Sequence, residues 1–307
     1  ETLITNFKLQ EKEEMGESSF DQADGLRNAQ NAPAQNNGRV KVITVTGGKG
    51  GVGKSSVSLN MAVSMAMLGK RVMVFDADLG LANIDIMLGI RPERNLSHVL
   101  SGKCTLDDIV VEGPYGVYIL PATSGTQKMT ELTTAQHAGL IRAFSSMKTQ
   151  IDVLIVDTAA GISDMVLSFA RAAQDVIVVV CNEPTSLSDA YALMKILSKQ
   201  YGVYRFKVVA NMVRTLKEGQ DLFNQLWKVT DRFLDISMEL VSCIPFDPNI
   251  RQSIRRQQVV VDAFPKAPSS IAIRALANRA LSWPVPYLPG GHMQFFIENF
   301  LNGVKKD

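Results

Sequence analysis

Gly47-Gly48-Lys49-Gly50-Gly51-Val52-Gly53-Lys54-Ser55 follows directly on an apolar run over residues 40–46 and opens a helical stretch. From Gly48 to Ser55 it matches the phosphate-loop pattern position by position, in the strand, loop, helix context that the pattern requires. Glycines let the backbone turn its amides inward around phosphate oxygens, and the helix behind adds the positive end of its dipole. Lys54 reaches the outer phosphates and the Ser55 hydroxyl ligates Mg²⁺. Gly48, Lys49, Gly50, Gly51, Val52, Gly53 and Ser56 complete the expected nucleotide contact.

Outward from this loop, apolar β-branched runs recur at residues 72–76, 117–120, 153–157, 176–181, 206–211 and 240–244. They are apolar throughout rather than alternating, as in strands buried on both faces of a parallel sheet. Most are separated by segments long enough for a crossover helix. The expected fold is a doubly wound, mostly parallel α/β sheet flanked by helices, with the phosphate loop at its carboxyl edge. The expected division is a flexible arm over residues 1–38, a phosphate-loop domain over 39–284, and a hinge with an amphipathic helix over 285–307.

Three carboxylates belong to the same edge. Asp76 and Asp78 leave the second strand two residues apart, so both can point at a bound Mg-nucleotide. Asp157 ends another strand, where an Asp holds Mg²⁺ from its outer shell; a cap of the following helix is the structural alternative. Lys49 is a second lysine on the loop. One nucleotide does not need it from within, but its side chain can reach phosphate on a facing subunit and neutralise charge that grows during transfer.

Bulk composition narrows the class less sharply. The 307 residues are 46% hydrophobic and 20% charged, ordinary for a globular chain, and Lys+Arg 32 against Asp+Glu 30 leaves only +2. That balance does not announce nucleic acid. Cys104, Cys181 and Cys243 form no C-x-x-C pair, which argues against a disulfide framework, a Cys₄ zinc site or a cluster motif and for a reducing, cytoplasmic compartment. His98, His137 and His292 share no metal-ligand spacing. No apolar run is long enough to span a membrane.

The loop from Gly48 to Ser55 resembles the deviant Walker A loop of the MinD/ParA (SIMIBI) family, in which the lysine at Lys49 marks ATP-dependent sandwich dimers. Asp76-Ala77-Asp78-Leu79-Gly80-Leu81-Ala82-Asn83 resembles the family's switch I. The resemblance implies that Asp78 orients the attacking water, that Asp76 holds the Mg²⁺ shell, and that Gly161 senses the γ-phosphate. It also implies that Asn211, Pro245 and Asp247 lie on the adenine side and that Glu183 meets the partner subunit's nucleotide. ATP as the nucleotide rests on this resemblance. Asn and Asp at strand ends are also common turn residues.

Both ends carry further patterns. Phe20, Ala23 and Leu26 have the spacing of one apolar helical stripe. Asp21-Gln22-Ala23-Asp24-Gly25-Leu26-Arg27 resembles the segment with which the FlhG/FleN (YlxH) branch activates the FlhF GTPase, which makes Asp21, Gln22, Ala23, Leu26 and Arg27 the expected partner contacts. The chain begins with Glu, Met15 could be a start, and residues 1–14 receive no function. At the other end Met293, Phe296, Ile297, Phe300, Leu301 and Val304 line one helical face after a Pro/Gly-rich hinge. The expected role is an interfacial membrane helix, with Lys305 and Lys306 at anionic headgroups; a helix packed on its own domain or on a partner is the alternative.

Together the resemblance implies a Mg-dependent, dimer-activated ATPase that regulates flagellar number and placement. It would be cytoplasmic, and peripheral on the inner face of the cell membrane when ATP-bound. Implied partners are a second copy, an FlhF-type GTPase, FliM/FliN-type switch proteins, a FleQ/FlrA-type transcription activator and inner-membrane lipid, with no direct nucleic acid. The alternatives are a ParA-like DNA-partitioning or a MinD-like cell-division-site ATPase.

Overall fold

The computed structural model describes residues 40–78, 83–121, 139–140, 143–144 and 146–284. The expected arm contacts, the tail stripe and Leu79 to Ala82 lie outside the described residues. The strands are β1 (Lys41–Thr46), β2 (Val72–Ala77), β3 (Val111–Glu112), β4 (Tyr118–Leu120), β5 (Val153–Thr158), β6 (Asp175–Val180), β7 (Arg205–Val213) and β8 (Ser237–Pro245). They form one sheet in the order β3-β4-β2-β5-β1-β6-β7-β8. All pairings are parallel except β3 with β4.

The seven expected strands are all present, with bounds shifted by three residues at most. The two-residue antiparallel β3 was not expected, because so short a run has no periodicity to read. β1, β2 and β5 are buried at every position, which explains why they lack alternation.

On one face lie α1 (Lys54–Met67), α7 (Pro248–Arg255), α8 (Val260–Ala263) and α9 (Pro268–Leu281), joined in a core with Ile43, Val74 and Ile155. Two short helices, α2 (Ile84–Leu88) and α3 (Leu96–Leu100), follow β2. α4 (Asp164–Ala172), α5 (Pro184–Tyr201) and α6 (Leu216–Phe233) contribute to the opposite layer with Val178 and Val208. Under the β2 side, Phe75 contacts Phe144 and Phe169 at ring-centroid distances of 5.5 and 5.4 Å.

β1 lies between β5 and β6. The chain runs from β1 toward β2 on one side, then from β5 past β1 to β6 on the other. The crevice at the carboxyl end of β1 is therefore the topological switch point, where ligands of open α/β sheets bind.

Candidate nucleotide and metal site

The loop at this switch point is braced from two sides. Gly53 caps α1 with φ 91°, the left-handed region that glycine tolerates. A Cβ there would lie 2.3 Å from Asn211 Nδ2, which donates to the Val52 carbonyl at 2.8 Å. A Cβ on Gly48 would lie 2.2 Å from the carbonyl carbon of Asp189 in α5. The Asn211 side chain from β7 and the backbone of α5 thus hold the loop at two positions where a side chain would clash. Lys54 is 8% exposed, and its Nζ donates to the Lys49 carbonyl at 3.4 Å. Burial depresses its pKa, against the attraction of Asp157 and Asp78.

Asp76 and Asp157 are direct register partners on β2 and β5. Asp76 accepts from the backbone N–H groups of Asp78 (3.2 Å), Asn83 (3.0 Å) and Ile84 (3.1 Å). Asp157 is fully buried and accepts from Ser58 Oγ at 2.9 Å, with the Ser55 hydroxyl beside it. Burial and the negative charge of Asp157 push Asp76 up to about 8. Burial pushes Asp157 up to about 6, opposed by Ser55, Ser58 and Lys54. Two apposed carboxylates with one nearby ammonium leave a site short of positive charge.

The polar atoms around the loop point the same way. Ser56 Oγ, Asp157 Oδ2, Asn211 Oδ1 and Thr46 Oγ1 are buried with no hydrogen-bond partner among the described residues. Buried polar atoms are normally satisfied. Four unsatisfied ones around one phosphate loop fit a Mg-nucleotide. Ser55, Asp76 and Asp157 are the residues that would hold Mg²⁺, which would neutralise phosphate charge there.

Lys49 and Glu183, both expected to face a partner, hold each other in this chain. The Lys49 ammonium pairs with the Glu183 carboxylate and donates to Thr185 Oγ1 at 2.9 Å. Hydrogen bonding to Glu183 raises the Lys49 pKa, so the lysine stays charged. Gly161, at φ 90°, donates its N–H to the Gly47 carbonyl at 3.2 Å, tying the end of β5 to the loop.

The expected base side is more structural than the sequence indicates. Asp247 caps α7, accepting from Asn249 N at 2.9 Å and from Ser269 Oγ at 2.7 Å. Burial would raise its pKa, but these donors outweigh it and leave it lowered. The amide donor of Asn211 is taken by Val52. Pro245 ends β8 beside a cleft of about 580 Å³ lined by Cys181, Asn182, Met212, Arg214 and Phe246. Met212 and Phe246 were missed from sequence; nothing distinguishes them there from any apolar residue at a strand end. Ser58 was also missed, although its position one turn after Ser55 on a helix was readable.

A family model described as ParA, NUBPL iron-transfer P-loop NTPase, matches residues 39–281. The chain is 54% identical over 262 residues to the antiactivator FleN of Pseudomonas aeruginosa, covering 85% of this chain and 94% of that protein. It is 32% identical to the flagellum site-determining protein YlxH of Helicobacter pylori, covering 84% and 88%. Among solved structures, septum site-determining MinD complexed with Mg-ADP from Pyrococcus horikoshii superposes with a TM-score of 0.64 at 23% identity, covering 80% of this chain and 97% of that one. A ParA family ATPase from Chlorobium tepidum gives 0.65 at 22%, covering 80% and 100%. At these identities the two structures speak to the fold alone.

Proposed function

Because the chain belongs to the MinD/ParA family of P-loop NTPases, in the branch of FleN and YlxH, we propose that it is a Mg-ATP-driven switch ATPase that regulates flagellar number and placement. The observation that carries the nucleotide chemistry is the set of unsatisfied polar atoms around the loop, beside the apposed Asp76 and Asp157. In this reading the loop amides and Lys54 hold the phosphates, and Asp78 orients the water that attacks. Lys49 exchanges Glu183 and Thr185 for the nucleotide of a facing subunit, so ATP joins two copies.

The dimer doubles the tail helices that bind the inner face of the cell membrane, which makes weak single anchors sufficient in pairs. The partners proposed with it are an FlhF-type GTPase at the arm, FliM/FliN-type switch proteins and a FleQ/FlrA-type transcription activator. Hydrolysis resets the cycle.

The test is vesicle flotation with ATP or ADP, run on the full chain, on a chain ending at Gly291 and on Asp78→Ala, with dimerisation followed by light scattering. ATP-dependent dimers and vesicle binding that the truncation abolishes and Asp78→Ala strengthens are expected. Nucleotide-independent or absent dimerisation would sink the switch.

A further inference from the structure

The net charge of +2 hides an uneven distribution. Arg251 and Arg255 stand one turn apart on α7, Arg256 follows at its end, and Arg91 and Arg94 lie in the segment after α2; all five are exposed. The two stretches meet, since a Cβ on Gly89 would lie 2.2 Å from Gln257 Oε1. Ile250 and Ile254 pack inward, which turns the α7 arginines to solvent. None of the five is in an ion pair among the described residues. Arg256 stacks on Phe264 at 5.5 Å. The acids facing this surface are Asp85, half-buried, Glu93, exposed, and Asp108, exposed and in the field of Arg94, so Arg251, Arg255 and Arg256 carry most of its unanswered charge.

We propose that this arginine surface is a second membrane contact, which binds anionic lipid headgroups alongside the tail helix. The inference rests on the reading of the tail as a membrane anchor and adds what that tail lacks. Its apolar stripe is accompanied by few basic residues, Lys305 and Lys306, and by Glu298. One weak apolar signal gives marginal, reversible attachment, and stable attachment needs a second, such as a polybasic patch.

Geometry allows the two to act on one surface. α7 and α9 share one face of the sheet, and the chain leaves that face after α9 at Pro284. The eight residues between Pro284 and Met293 span at most about 29 Å, more than the roughly 21 Å length of α9 itself. Ile271, on the outer side of α9, is 60% exposed and adds apolar surface to the same layer. Arginine suits the role because its planar fork pairs with phosphate oxygens and is weakly hydrated.

The test is ATP-dependent flotation of the full chain on phosphatidylglycerol-rich vesicles and on pure phosphatidylcholine vesicles. Arg251→Gln/Arg255→Gln should weaken binding to the anionic vesicles by at least about 25-fold, fivefold per side chain on each subunit near an anionic surface. Residual binding to neutral vesicles and ATP turnover without vesicles should not change, and Arg251→Lys/Arg255→Lys should retain most of the binding. Wild-type anionic binding by the Gln variant, with the chain ending at Gly291 unbound, overturns the inference and leaves the tail reading standing. Patch-dependent binding that survives removal of the tail supports the lipid contact and overturns the tail reading. A loss confined to duplex DNA, measured in parallel, overturns the assignment to lipid.

Discussion

At the carboxyl end of the sheet, Asp76 and Asp157 face each other with raised pKa values; among the described residues Asp157 Oδ2 has no hydrogen-bond partner, while Lys54 donates to the Lys49 carbonyl of its own loop. At the amino end, Lys41, 5% exposed, donates to the carbonyls of Ala280 and Trp283 and so closes the end of α9. Lys207 pairs with Glu239, which also pairs with Arg279, and the Lys207 ammonium lies 4.3 Å from the centre of the Trp283 ring. Arg71 binds Asp152 and Gln150. Asp175 Oδ2 and Trp283 Nε1 have no hydrogen-bond partner among the described residues, but Asp175 lies in the field of Lys41, Lys207 and Arg205. Charges at the amino end are largely answered within the chain. At the carboxyl end the buried Asp157 Oδ2 is without a partner among the described residues, although Lys49 and Glu183 pair and backbone N–H groups hold Asp76.

The largest expected effect separates these two uses of charge. Asp157→Asn should lower ATP turnover by at least about 10²-fold, the scale of removing a well-placed electrostatic group. It should leave the ligand-free melting temperature unchanged or higher, because it deletes a buried carboxylate that burial penalises. A drop of several degrees would mean that the acid is structural, and the contrast would fail.

At the other end the signs reverse. Lys41→Met should leave the buried Trp283 carbonyl without its Lys41 donor, while the Ala280 carbonyl keeps the Trp283 N–H at 3.3 Å, and should cost about 1–3 kcal/mol in urea unfolding. ATP turnover per folded molecule should stay within a factor of two or so. Lost turnover at full stability would place Lys41 in the nucleotide cycle and erase the distinction.

The sequence discloses these two ends unequally. The phosphate loop, Asp76 and Asp157 were legible because chemistry fixes residue type and spacing together, and the buried strands because parallel pairing demands apolar runs. Asn211 and Asp247 were read toward the base; Asp247 spends its hydrogen bonds on its own chain, while Asn211 gives its amide donor to Val52 and keeps Oδ1 without a partner among the described residues. An amide or carboxylate at a strand end looks the same in sequence whether it caps a helix or meets a ligand. Lys49 and Glu183, 134 positions apart, were both read as facing a partner, and their mutual pairing depends on tertiary structure. The arginine surface was invisible because total charge averages over it. Lys41 carries no sequence signal of its role, since its partners are carbonyls more than 200 residues away.

The smallest expected effect concerns pH and the exposed part of the amino end. The hydrogen bond from the Arg71 guanidinium holds the Asp152 carboxyl below its ordinary value. A carboxyl with a lowered folded-state pKa contributes its stability in full above its unfolded value, near 3.8, and loses it as pH falls through the folded value. Arg71→Gln should therefore lower the urea midpoint at neutral pH slightly and converge with the parent chain at strongly acidic pH. The difference should be small and shrink with salt, since half of the Arg71 side chain is exposed to screening. A difference that persists below the folded pKa would assign Arg71 a packing role instead, through its stem or its bond to Gln150, and would move this part of the amino end out of the electrostatic contrast.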